Sequence, residues 1–116
     1  MAALRSDLWV SAFVRRHNDL GNMCVVSRRG DPIAGQVFIE VDHLDGAVSL
    51  FTPAPMAGRE GNEAALVFQR RFRRVEPAKV RERIQQEIKF DPDLWVLSLD
   101  LRGEDPGIEL DAGSKL

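Results

Sequence analysis

The chain has 116 residues, 44% of them hydrophobic and 29% charged, with a net charge of −2. That suffices for one globular domain burying roughly two-thirds of its unfolded surface, and it falls short of two separate cores. The small negative charge argues against an indiscriminate nucleic-acid binder, and a single cysteine, Cys24, excludes an internal disulfide or a cysteine-rich zinc site, as expected in a reducing compartment.

The opening "MAALRSDLWVSAFVRR" is interrupted by Arg5, Asp7 and Arg15 and lacks the basic-then-apolar order of a signal peptide, so the expectation is a soluble, cytoplasmic protein without membrane contact. Ser6 is placed to cap a first helix in which Leu8, Trp9, Ala12, Phe13 and Leu20 recur at three- and four-residue steps; Gly21 ends it. Trp9 and Phe13 are its expected core anchors. "NMCVVSRR" and "QVFIEVDH", joined by a turn built from Gly30, Pro32 and Gly35, read as an antiparallel pair. Asp45-Gly46 then predicts a tight type I′ hairpin with positive φ at both central residues, leading into a third strand. "TPAPMAGREGN" reads as an exposed loop and "EAALVFQRRFRRV" as a fourth strand. Pro77 suits the first turn of a helix carrying a narrow stripe of Val80, Ile84 and Ile88, and "FDPDLWVLSLDL" turns at Asp91-Pro92 into a last strand.

The predicted order, α-β-β-β-β-α-β, gives a single α+β domain over residues 1–102 with a four-strand, mainly antiparallel sheet, both helices on one face, and a final strand whose position the pattern leaves open. Residues 103–116 have little to bury and read as an acidic, disordered tail. Charge is divided accordingly: 14 Lys/Arg against 11 Asp/Glu over residues 1–90, a net +3, and 2 against 7 over 91–116, a net −5.

The strings "DLWVSAFVRR", "RRGDPIAG", "HLDGAVSLFTPAP" and "FDPDLWVLSLDL", in this order, resemble an alphaproteobacterial family, domain of unknown function 1491, across about residues 4 to 101. The resemblance implies a compact cytosolic bacterial domain and brings no activity, cofactor or catalytic residue. The family's final strand tends to be more acidic and to end in Asp-Arg, where this chain has Ser98-Leu99-Asp100-Leu101-Arg102.

Function must therefore come from the residues. Arg70, Arg71, Arg73 and Arg74 sit in one strand, and strict alternation would place Phe68, Arg70, Phe72 and Arg74 on one face with Arg71 and Arg73 on the other. Positive charge on both faces predicts a sheet edge, where arginines also block edge-to-edge pairing. With Lys79, Arg81, Arg28 and Arg29 these arginines form the candidate binding set, together with Phe72. Three readings compete: a solvated edge paired with acidic groups, a surface for a protein partner or a second copy of the chain, and a nucleic-acid grip in which Phe68 or Phe72 stacks on bases. The acidic tail, through Glu104, Asp105, Glu109 or Asp111, is placed to fold back on the arginines. Asp42, His43 and Asp45 are the weak candidates for a metal, although a Asp before Gly is ordinary turn chemistry. No cofactor is indicated. With no tyrosine, two histidines and none of the common nucleophile or phosphate-loop motifs, the sequence leans away from catalysis; Asp91, Asp93, Cys24 and His17 each have a structural explanation. The expectation is a non-enzymatic protein-interaction module, with nucleic-acid binding as the alternative and a metal-dependent or carboxylate enzyme third.

Overall fold

In the computed structural model, which describes residues 5–55 and 66–114, two helices lie on opposite faces of a six-stranded mixed sheet. Helix α1 (Ser6–Asp19) starts from Arg5, which contributes no side-chain cap. Ser6, the predicted cap, is instead the first helical residue, and its buried hydroxyl donates to the Gly35 carbonyl at 2.6 Å. Two of the orphan N–H groups of the first turn, on Ser6 and Asp7, donate to the carbonyls of Ile33 and Pro32. A distant loop thus does the work expected of a local cap. Gly21 ends the helix as predicted, at φ +90. The buried face runs through Val10, Phe13 and His17, with Trp9 partly buried and stacked on Phe13 at 5.1 Å, while Leu8 and Leu20 are exposed.

The strands are β1 (Cys24–Arg28), β2 (Val37–Asp42), β3 (Val48–Pro53), β4 (Val67–Val75), β5 (Trp95–Asp100) and β6 (Glu109–Leu110), in the order β1-β5-β2-β3-β4-β6. β5 is inserted between β1 and β2, antiparallel to the first and parallel to the second, so the predicted β1–β2 hairpin does not form. The reason lies in composition: Trp95, Val96, Leu97 and Leu99 need cover on both faces, which only a central strand has, whereas Val25, Val26 and Ser27 leave β1 fit for an edge. The connection between β1 and β2 closes against β5 instead. A Cβ on Gly30 would come within 2.1 Å of the Asp93 carbonyl oxygen, and the Trp95 indole N–H donates to the Asp31 carbonyl at 2.7 Å.

Helix α2 (Pro77–Phe90) begins at the predicted proline. Its Val80 and Ile84 pack with Phe38, Val48, Leu50, Leu94 and Val96, while Val10 and Phe13 of α1 pack with Val37, Ile39, Val41, Phe51, Phe68 and Leu97. The expectation of both helices on one face is therefore corrected. Alternation along β2 puts Val37, Ile39 and Val41 on one face and Phe38 on the other, so the sheet is apolar on both faces and each face requires its own helix.

Two turns also differ from expectation. The β2–β3 connection is a wider loop in which Leu44 (φ +64) and Gly46 (φ +93) take the left-handed conformation and Asp45 does not, so it is no type I′ turn. Residues 103–114 pack against the domain, where a frayed tail was expected. Pro106 is fully buried, Ile108 and Leu110 pack against the α1-side core, and β6 pairs in parallel with Val67 and Phe68 of β4. These alternate apolar residues find cover because His17 and Arg16 bond the carbonyls of Pro106 and Gly107, both at 2.7 Å. The loop predicted over 52–62 and the start of the fourth strand fall largely outside the described residues.

Candidate functional site

β4 is the strand that carries the arginines, and its register breaks twice. Phe51 faces Arg70 and Leu50 faces Phe72, leaving Arg71 as an extra residue; Val48 then faces Val75, so Ser49 is opposed by Arg73 and Arg74 together. Arg74 adopts φ +47, and its N–H donates to the Ser49 hydroxyl at 3.0 Å rather than to a backbone carbonyl. The bulges cancel the predicted alternation. Phe68 belongs to the α1-side core and Phe72 to the α2-side cluster, so the two rings do not share a face.

Each arginine has a separate environment. Arg70 lies over the Phe51 ring at 5.5 Å. Arg73 and Arg74 are both engaged by Glu104, at 3.4 and 2.5 Å, and Arg74 also reaches Asp45 at 2.7 Å and the Arg102 carbonyl at 3.2 Å. Arg74 holds the Glu104 carboxyl below its ordinary value; the Ala47 N–H, and then Arg74, do the same for Asp45. Arg71 is exposed and makes no ion pair among the described residues. β4 is an edge only in part, since β6 covers its start and Ser114 accepts the Arg70 N–H.

The candidate basic set does not gather in one place. Arg28 and Arg29 sit at the end of β1, four strands from β4, roughly 19 Å at ordinary strand spacing. There Arg28 donates to the Pro92 carbonyl at 2.9 Å and Arg29 lies over the Trp95 indole at 5.2 Å. Lys79 and Arg81 project from the start of α2, directly after β4, and are exposed. Of the candidate set, Arg71, Lys79 and Arg81 are exposed and make no ion pair among the described residues, and they lie on adjoining elements.

The weak metal candidates are dispersed. Asp42 accepts the Leu44 N–H, Asp45 accepts the Ala47 N–H, and both ring nitrogens of buried His43 are engaged, by the Leu101 carbonyl at 2.9 Å and the Ser49 hydroxyl at 2.7 Å. Among the described residues no three such side chains converge on a point. His43 fastens the β2–β3 loop to the strand end of β5. Asp91 bonds the Asp93 N–H, a turn function, and burial raises the Cys24 thiol to about 11, which leaves it unreactive at neutral pH. His17 is buried between Pro106 and Asn22.

A cleft of about 430 Å³ opens on the α2 side, between the start of β2, the end of β3, β4 and α2. Phe38, Pro53, Ala54 and Pro55 give it apolar walls; Gln36, Thr52 and Gln69 are polar; Arg71, Arg83 and Glu87 are its charged groups. Arg83 pairs with Glu87 at 2.7 Å, and Gln69 donates to Thr52 at 3.3 Å. Apart from Arg71 and the general arginine density, no sequence signal marks these residues, because they come from four separate elements.

The family of proteins of unknown function DUF1491 matches residues 4–109. The chain belongs to this family. Solved structures of similar proteins agree with the fold. A solution structure from A. tumefaciens has 28% identity and a TM-score of 0.81, covering 94% of this chain and 95% of that one. A crystal structure of a DUF1491 protein from Caulobacter crescentus has 24% identity and a TM-score of 0.77, covering 96% and 100%. No curated protein matches the chain. The fold is therefore shared across DUF1491 proteins of alphaproteobacteria, and no helix among the described residues is long and apolar enough to cross a membrane.

Proposed function

We propose that this DUF1491 domain is a non-catalytic binding module that meets an acidic surface of a protein partner along the middle of β4 and the first turns of α2. The observation that carries this reading is the contrast within the arginine cluster: Glu104 and Asp45 pair with Arg73 and Arg74, while Arg71, Lys79 and Arg81 stay exposed without an ion pair among the described residues. Unneutralised cations on adjoining elements raise the encounter rate with an acidic partner, and nearby apolar groups supply lasting affinity. Half-buried Phe72 and Val75 lie between these cations, and Phe90, 87% exposed, stands at the far end of α2.

Strand-to-strand pairing with a second copy is disfavoured at both edges. β4 is bulged, and the outer side of β1 is blocked where the Asn18 amide takes both the Cys24 N–H and its carbonyl, at 3.0 and 3.1 Å. The nucleic-acid reading loses its stacking platform, since Phe68 is 1% exposed and Phe72 faces α2.

The test is capture from lysate by the native protein and by a variant with Arg71, Lys79 and Arg81 changed to Ser, beside titration of a labelled single-stranded oligonucleotide. A protein retained by the first, lost on the variant and weakened by salt is the expected result. Equal retention by both proteins overturns the reading. So does salt-steep oligonucleotide binding lost in the variant, with affinity falling about 10³-fold between about 50 and 200 mM salt.

A further inference from the structure

We infer that the cleft between β4 and α2 is a binding site for a small carboxylic acid with an apolar body. Its volume, about 430 Å³, falls within the usual range for small-molecule sites. Phe38, Pro53 and Pro55 offer the body an apolar wall, and Gln36 and Gln69 offer amide groups to orient it.

The charged groups select the ligand. Arg71, Arg83 and Glu87 give the lining a net charge of +1, which a monocarboxylate balances and a phosphate dianion exceeds. Arg71 has no ion pair among the described residues, and the Nε–H of Arg83 is buried without an acceptor among them, although its Nη2 is held by Glu87. A carboxylate in the cleft gives Arg71 the charge-assisted partner it lacks among the described residues. A second feature is the strand itself: Gln69 and Arg71, two residues apart on β4, both line the cleft as alternation places them, and the bulge at Arg71 then turns Phe72 to the same side, beneath α2. Arg71 is shared with the proposed partner surface, but Lys79 and Arg81 lie outside the cleft lining, so the two readings fail separately.

The experiment uses N-acetylphenylalanine and its neutral amide as matched probes, followed by amide chemical shifts of the full-length protein. The acid should shift Thr52, Gln69 and Arg71 saturably, the amide should bind about tenfold more weakly or worse, and Arg71→Gln should lose a similar factor with its melting temperature unchanged. Arg83→Gln tests the second cation, and the Lys79→Ser/Arg81→Ser double variant should bind the acid as the native protein does. Equal binding of acid and amide, shifts at other residues, no saturable shift up to about 10 mM acid, or full affinity in Arg71→Gln would each overturn the assignment.

Discussion

On the α1 side of the sheet, Val10, Phe13, Val37, Ile39, Phe51, Phe68 and Leu97 form a continuous core, and Pro106, Ile108 and Leu110 close over its border. Its polar groups are buried and paired: Ser6 with Gly35, and His17 with Pro106 and Asn22. The α2 side has a smaller core under a narrow stripe, and around it lie half-buried Glu40, Ser98 and Asp100, exposed Asp42, an unpaired Arg71 and an open cleft. One face is devoted to stability. The other retains polar groups and volume that packing does not require, and that is where a binding function has room to exist.

The sharpest test of this contrast is truncation on each side. Phe13→Ala removes a ring that is 2% exposed and stacked on Trp9, and should cost about 3–5 kcal/mol. Ile88→Ala, at the half-buried end of the α2 stripe, should cost only about 1 kcal/mol. Urea unfolding measures both, and comparable losses would remove the distinction. A smaller effect probes how the α1 side is closed. His17→Phe keeps an aromatic ring but leaves the Pro106 carbonyl unpaired, for about 1–3 kcal/mol. Exchange of the Asp111 amide, which donates to the Phe68 carbonyl at 2.9 Å, should quicken more than exchange in β2 or β5. Uniform quickening would mean that residues 106–111 are part of the global unfolding unit rather than a docked strap.

What the sequence made legible follows from locality. Phe13 as an anchor, Gly21 as a helix end, Pro77 as a helix start and the strand at Trp95 all rest on neighbours a few residues apart. The insertion of β5 between β1 and β2 joins segments some sixty to seventy residues apart, and no periodicity encodes it, which is why the position of the last strand stayed open in the sequence. The bulges at Arg71 and at Arg73-Arg74 defeated a strict two-residue period, and with it the placement of Phe68 and Phe72 on one face. Residues 103–114 looked unable to bury anything because the spacing of Pro106, Ile108 and Leu110 is short and lies within acidic residues. As for the candidate site, the arginine cluster was visible and Glu104 was one of four acidic residues named as able to fold back on it, within a segment read as a disordered tail, whereas Arg28 and Arg29 proved to lie four strands away and the cleft had no linear signature.

The smallest effect concerns the ion pairs that Glu104, in the acidic C-terminal segment, makes with Arg73 and Arg74 of the arginine strand. Arg74 depresses the Glu104 pKa below its ordinary value of 4.5, so the pair's contribution is present above that value and is lost as pH falls through the lower folded one. Glu104→Gln should therefore melt slightly below the native protein at neutral pH, and the two melting curves should converge in acid as the native carboxylate protonates. The pair is partly exposed and screened, so salt should narrow the gap as well. A gap that persists unchanged into acid would mean that the side chain acts through packing and not through charge. If the gap closes as expected, the same variant frees Arg73 from its carboxylate and leaves Arg74 with Asp45 alone, and any acidic partner of β4 should then bind more tightly at low salt, which ties the stability of this segment to access to the strand beneath it.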